Sequence, residues 1–385
     1  MLSRSLMKAG IQFFAVCVLA LSANAHAAQS FKDGPYVGLG SEGDWIARWV
    51  RADAGAPHVR EERIEIGDAV LIPAVGALPA FTVELQELDN AVPTEVALPK
   101  GTPLFVMADT HGEFEIAAEL LQQHGIINED LHWSFGTGRL VILGDVFDRG
   151  DHQTELLWLI YKLEAAAKRA GGAVHLLLGN HELLVLMGDE RYLNPKYTRT
   201  AQALGAPRYA ALWDTDSFLG RWLRTKAATM KIGDYLCAHG GLSPEAAARN
   251  LTLDALNDAI RDALNRQGPS SQTQADRMSF AIGPAGPLWY RGYFSDMQAQ
   301  GGPPRAGAEE IMRVLDYYKA KYILVGHTRV PTITSLYGGD VIAVQVYPHR
   351  HAETGVPVME ALSIEGDRFF KARADGSREV LKTVE

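Results

Sequence analysis

Apolar and polar positions along this chain fall into short blocks, and the blocks change character near residue 100. Before that point the pattern is strand-like. "EERIEIGDAVLIPA" and "AFTVELQEL" either alternate with period two or run apolar. Trp45-Ile46-Ala47-Arg48-Trp49-Val50 predicts a short helix. "ALPKGTP", at 97–103, is a Pro/Gly punctuation mark that sets a boundary. From there the chain reads strand, loop, helix, repeated. Strands are expected over 104–108, 139–143 and 174–178, and helices over 113–123, 154–169 and from Glu182 onward. Tyr235 to Ala238 and Tyr322 to Val325 give two further short strands. "VIAVQVY" and "VMEALSIEGDRFFKA" read as closing antiparallel strands. Strands alternating with helices, then β-rich segments, predict an α/β core with a second sheet or mixed edges.

Two stretches depart from this repeat. Residues 190–231 carry Tyr192, Tyr197, Tyr209, Trp213, Phe218 and Trp222, and residues 267–304 are rich in Gly, Pro, Ser and Gln. Both are expected to be excursions over the sheet edge, with flexible loop an equal alternative for 267–283. The organisation that follows is an N-terminal β-rich accessory region at 28–100 and a main domain at 101–375, with inserts near 190–231 and 267–304.

The first 27 residues stand apart. Arg4 and Lys8 precede a short apolar run from Ile11 to Leu21, and Ala23-Asn24-Ala25 and Ala25-His26-Ala27 offer small-x-small cleavage sites. The run is shorter than the ~20 residues a membrane span needs, so a cleaved signal peptide and a periplasmic or secreted protein are expected, with no membrane anchor left after cleavage. Removing Arg4 and Lys8 moves the formal charge from −9 to −11, with 35 basic against 46 acidic residues. That balance argues against a nucleic-acid or anionic-membrane surface. Of the two cysteines, Cys17 falls in the signal, leaving Cys237 with no internal disulfide partner. At 385 residues the chain is long enough to bury a core unaided.

The chemistry is concentrated where the core strands end. The first ends in "ADTHG" with Asp109 and His111, and the second in "GDVFDRGD" with Asp145, Asp148 and Arg149. The third ends in "LLGNHE" with Asn180, His181 and Glu182; the fourth ends "CAHGG" with His239 and the fifth "LVGHT" with His327. Open α/β sheets bind ligands at the carboxyl ends of their strands. Carboxylates mixed with imidazoles suit Zn, Mn or Fe. Two such metals about 3.5–4 Å apart can share a carboxylate and clamp an in-line displacement at phosphorus. Each motif alone has a plainer explanation: Asn180 as a helix cap, a lone histidine as core, Arg149 in a surface ion pair. Their joint placement at successive strand ends is what favours metal.

Together, D-x-H-G, G-D-x-x-D-R-G, G-N-H-E, H-G-G and G-H-T resemble the signature of the calcineurin-like metallophosphoesterases. The full second and third motifs resemble the phosphoprotein phosphatase branch, and "ADTHGE", "GDVFDRGD", "LLLGNHE" and "CAHGGLSP" look most like the bacterial Shewanella-like phosphatases. The resemblance runs from about Asp109 to His327. It implies a four-layer α/β/β/α sandwich with two mixed sheets, and hydrolysis of phosphomonoesters, above all on phosphoproteins, by metal-activated water. It also implies roles. Asp109 and His111 would bind a first metal, Asp145 would bridge, and Asn180, His239 and His327 would complete the second. His181 would protonate the leaving oxygen, oriented by Asp148, while Arg149 and, through "LWYRG", Arg291 would hold phosphate. Asp151 is left as a cap for the following helix.

The chain also departs from that pattern. Leu178 stands where eukaryotic Ser/Thr phosphatases carry an arginine before G-N-H-E, and their S-A-P-N-Y motif is absent. Two readings stay open for the aromatic insert: a wall for phosphotyrosine, or simply the insert's own core. A rival of the same superfamily would act on nucleotides or dinucleoside polyphosphates and would need a basic pocket for the extra phosphates. A non-catalytic binding module is disfavoured by the intact residue set.

Overall fold

The computed structural model describes residues 30–53, 56–88 and 92–383. The expected signal peptide lies outside the described residues. Among them, two six-stranded mixed sheets form the centre. In the first sheet, Leu104–Met107, Arg139–Ile142 and Ala173–Leu176 run parallel, and Glu360–Glu365 adds antiparallel to Leu104–Met107. Arg368–Arg373 and Arg378–Thr383 continue that sheet as antiparallel neighbours. In the second, Tyr235–Ala238, Tyr322–Val325 and Val341–Ala343 are parallel, while Thr229–Ile232 pairs antiparallel with Tyr235–Ala238.

Period-two alternation explains the layering, because successive side chains leave opposite faces of a strand. Leu104, Val106, Val141 and Leu143 of one sheet share a buried cluster with Met230, Ile232, Cys237, Leu324 and Ile342 of the other. Their alternates, Phe105, Met107, Leu140 and Ile142, pack instead with Phe114, Leu120, Leu156 and Leu163 of helices Phe114–Gln123 and Gln153–Arg169. On the far side, Leu236, Ala238, Ile323 and Val325 meet Leu256 and Ile260 of helix Leu253–Leu264 and Ile311 and Val314 of helix Ala308–Tyr318. Helix, sheet, sheet, helix is the expected sandwich. Each such fully buried aliphatic side chain contributes roughly 1.5–3 kcal/mol, so the strand ends rest on a rigid base.

Several local expectations change. Trp45–Ala52 is a strand, not a helix, paired on one side with Phe31–Leu39 and on the other with His58–Ile64. Its Trp, Ile and Val content suits a strand between two partners better than an isolated helical turn. In "VIAVQVY" the strand stops at Ala343 and runs parallel to Tyr322–Val325, with Thr334–Leu336 its antiparallel neighbour. Residues 272–281 form a helix capped by Ser271, whose hydroxyl accepts from Gln274 N–H. Asp151 does not cap the next helix; its carboxylate sits 2.8 Å from His152 Nδ1.

The residues before 100 share the main core. Glu95–Val96 pairs with Thr229–Ile232, and the Trp158 indole donates to Pro35 O at 2.9 Å. Tyr197, Tyr209, Trp213, Phe218 and Trp222 of the aromatic insert are buried, and Tyr209 and Trp213 pack edge-on to Tyr36. These five are core. Tyr192 alone of the six remains open, at 47% exposure.

Candidate functional site

The strand ends meet at one edge and their backbones leave ordinary geometry there. Asp109, His111, Asp145, Asp148, Arg149 and His327 all have positive φ, between 40° and 71°. Such a conformation costs on the order of 1 kcal/mol per non-glycine residue and persists only where the surroundings impose it. The surroundings are tight. Gly144 has φ +91°, and a Cβ on it would lie 2.4 Å from Gly179 N, so the second and third strand-end loops touch backbone to backbone.

Glu182 locks those two loops together. Its buried carboxylate accepts from the N–H groups of Asp145, Val146 and Gly179 at 2.7–2.8 Å and of Phe147 at 3.2 Å. Charge-assisted bonds of this kind are about twice as strong as neutral ones. In the sequence Glu182 is visible only as the last residue of G-N-H-E. Its partners are loop amides up to 37 residues away, which no local spacing reveals.

Six donors converge below. Asp145 lies at the centre: its Oδ2 is 3.2 Å from His239 Nε2 and 3.8 Å from both His111 Nε2 and His181 Nε2. His239 Nε2 is also 3.0 Å from Asn180 Oδ1, and its Nδ1 is 3.8 Å from Asp109 Oδ1. Asp109 Oδ1 accepts from His327 N at 3.1 Å. Two clusters of mutually close ligand atoms result: His111, Asp145 and His181, and Asp145, His239 and His327. The first brings in His181 where the motif pattern puts Asp109. His181, however, is otherwise engaged: Nδ1 donates to Asp148 Oδ2 at 2.6 Å, and Nε2 lies 3.4 Å from the Arg149 guanidinium.

The donor set fits metal cations on its own geometry. His111 Nδ1 donates to Phe147 O at 2.9 Å and His239 Nδ1 to Leu143 O at 2.7 Å, which fixes the tautomers and turns Nε2 inward. Nε2 of His111 and of His327 is buried without a hydrogen-bond partner. Burial, then neighbouring positive groups, hold His111 down to about 3 and His327 well below the usual imidazole range, so both stay neutral as ligands must. Burial pushes the Asp109 carboxyl up to about 7, a penalty that a bound cation removes. For His239 burial acts downward, but Asp145 and Asp109 outweigh it and raise the ring to about 9.

Above these donors opens a cavity of about 430 Å³. Arg149, Arg291 and Arg329 line it together with Tyr192, Trp289 and Tyr347. Arg291 reaches it as expected, anchored by donating to His327 O at 3.2 Å and Thr328 Oγ1 at 3.0 Å. Arg329, Gln345 and Tyr347 went unnoticed in the sequence. A strand continued through "VIAVQVY" would have hidden the last two, whereas the observed strand ends at Ala343 and leaves them over the site. Arg329, two residues past His327, was the legible signal.

A profile of the calcineurin-like phosphoesterases matches residues 102–331, more than half of the chain. The chain belongs to that family. Its donor cluster is accordingly that of a metal-dependent phosphoesterase. The chain is 28% identical to Shewanella-like protein phosphatase 1 of Plasmodium berghei, over 60% of this chain and 62% of that one. It is 37% identical to Shewanella-like protein phosphatase 2 of Arabidopsis thaliana, over 42% and 51%. The chain thus spans about half to two thirds of the length of these curated relatives. Among solved structures, a cold-active protein tyrosine phosphatase superposes with TM-score 0.77 at 33% identity, covering 92% of this chain and 98% of that one. The cold-active protein-tyrosine phosphatase of a psychrophilic Shewanella species gives 0.76 at 33%, covering 91% and 100%.

Proposed function

We propose that this calcineurin-like phosphoesterase is an exported, two-metal phosphoprotein phosphatase whose preferred side chain is phosphotyrosine. The observation that carries the reading is the His181–Asp148 pair, set beside the Asp145 donor cluster with Arg149 against its outward nitrogen. Asp109, His111 and Asp145 would hold one cation, and Asp145, Asn180, His239 and His327 the other. When bound, the cations supply Lewis acidity and acidify the attacking water.

The chain's own groups do the rest. Arg149 and Arg291 offer planar forks to the phosphoryl oxygens. As water oxygen bonds to phosphorus and the ester P–O bond breaks, the leaving oxygen takes the proton on His181 Nε2. Burial alone would lower the His181 pKa, but the Asp148 hydrogen bond and the Asp145 and Asp148 charges outweigh it and raise it. The shift is toward the protonated, donating form. A covalent cysteinyl enzyme is not needed: Cys237 is buried on its strand, and burial raises its thiol to about 12.

Phosphotyrosine is favoured by the aromatic rim. Tyr192 is half exposed with its ring 5.2 Å from that of His181, and Trp289 and Tyr347 face the same cavity. Two structural relatives named as tyrosine phosphatases support the same choice. The test compares phosphotyrosine, phosphoserine and phosphothreonine peptides and nucleotides, with chelator and then with Mn or Zn restored. Phosphotyrosine should lead by about tenfold in kcat/KM, or ~1.4 kcal/mol, and chelation should stop turnover. Activity indifferent to chelation, or a preference for nucleotides, would overturn the proposal.

Export rests on the Arg4, Lys8 and Ile11 to Leu21 pattern. The mass of the protein recovered from producing cells should place the mature N-terminus after Ala25 or Ala27.

A further inference from the structure

The rim holds a third guanidinium that none of these steps uses. The Arg329 guanidinium carbon lies 4.2 Å from the Tyr347 ring centroid, and that of Arg149 lies 5.6 Å from the same ring. Tyr347 is therefore a shared platform that sets Arg329 beside the phosphate-facing Arg149. Arg329 is exposed and has no carboxylate partner among the described residues. Three arginines of the C-terminal region do have one, Arg350 with Glu119, Arg373 with Glu360 and Arg378 with Glu365, while Arg368 rests on the Phe370 ring. In a chain of formal charge −9, Arg329 brings to three the guanidinium groups in the lining of this cavity without a carboxylate partner among the described residues. Gln345 adds a second uncommitted group, its Oε1 buried without a partner in the cavity wall.

We infer that Arg329 binds a carboxylate on the residue next to the phosphorylated one, so that acidic-flanked phosphopeptides are the preferred substrates. The inference rests on the phosphoprotein reading above. Arg291 is tied inward to His327 and Thr328, and Arg149 faces His181, so both belong to the reacting phosphoryl group. Arg329 is bound to neither, and stands exposed against the Tyr347 ring in the cavity wall. Attraction at an exposed rim is worth up to about 1 kcal/mol, roughly a fivefold preference, and weakens with salt.

The experiment measures kcat/KM for phosphotyrosine peptides with Glu or Lys beside the phosphotyrosine, on the metal-loaded enzyme at low and high salt. The wild type should favour Glu over Lys by about fivefold at low salt, mostly through KM, and lose most of that preference at high salt. Arg329→Ala should bring the ratio close to one, and Arg329→Glu should invert it. The ratio is internal to each enzyme, so a general loss of rate does not disturb it, and thermal unfolding checks that each variant is folded. A wild-type ratio near one, or a ratio unchanged in Arg329→Ala, overturns the assignment while leaving the phosphatase reading intact. Faster cleavage of a nucleoside diphosphate than of any phosphopeptide would instead overturn the substrate reading, and this inference with it.

Discussion

The floor of the site and its rim are built on opposite terms. Asp109, His111, Asp145, Asn180, His239 and His327 are all less than a tenth exposed, and four of them hold left-handed backbones. Their neighbours are fixed by Glu182, by carbonyls that set the imidazole tautomers, and by glycine contacts that admit no side chain. The rim is held by ring contacts and few polar bonds: Arg149 and Arg329 on Tyr347, Tyr192 against His181. Strain and burial are tolerable where many contacts over-determine a geometry. A floor so constrained should fail as a unit, whereas the rim should change by degrees and by substrate.

The largest effect is expected at the centre of the floor. Asp145→Asn replaces a carboxylate that lies within 4 Å of three imidazoles. Metal content measured on the purified variant should fall together with activity, the latter by at least about 10³-fold. Full retention of two metals would break the proposed bridging role. His181→Asn should differ in kind: metal stays, and kcat drops by about 10²–10⁴. Loss of metal there would make His181 a ligand and dissolve the boundary between floor and proton donor.

The Asp148 partner gives a finer form of the same test. The His181 proton is present below its raised pKa and lost as pH rises through it. Asp148→Asn removes the hydrogen bond and charge that raise it. The alkaline limb of kcat should therefore move to lower pH. An unmoved limb would assign that titration to another group.

The floor was legible in the sequence and most of the rim was not. Asp109, Asp145, Asn180, His239 and His327 could be found because each follows a short apolar strand, and strand ends share an edge in such sheets. The five strands that carry these residues lie within one or two residues of their observed limits for the same reason, whereas the strand expected through Tyr347 stops at Ala343. Trp45–Ala52 was misread because a six-residue window carries no information about partners at 31–39 and 58–64. Glu182 looked like motif padding because its role is a set of distant amides. Tyr347 belongs to no periodic pattern, and only the end of the strand at Ala343 leaves its ring free to meet the Arg329 guanidinium.

The smallest effect should come from Tyr192, where floor and rim meet. Its carbonyl accepts from Arg149 N at 3.1 Å, and its ring faces His181. Tyr192→Ala keeps the carbonyl and removes only the ring, so the Arg149 loop keeps its tether. Ring–ring contact is worth about 0.5–1.5 kcal/mol, which predicts a KM for phosphotyrosine peptide raised roughly 2- to 10-fold and a smaller change in kcat. Tyr192→Phe should retain most of the wild-type affinity, since the ring face rather than the hydroxyl makes the contact. Phosphoserine, which presents no ring, should lose less. An equal loss on both substrates would mean that Tyr192 steadies His181 and Arg149 instead of the substrate, and would move it from the rim into the floor.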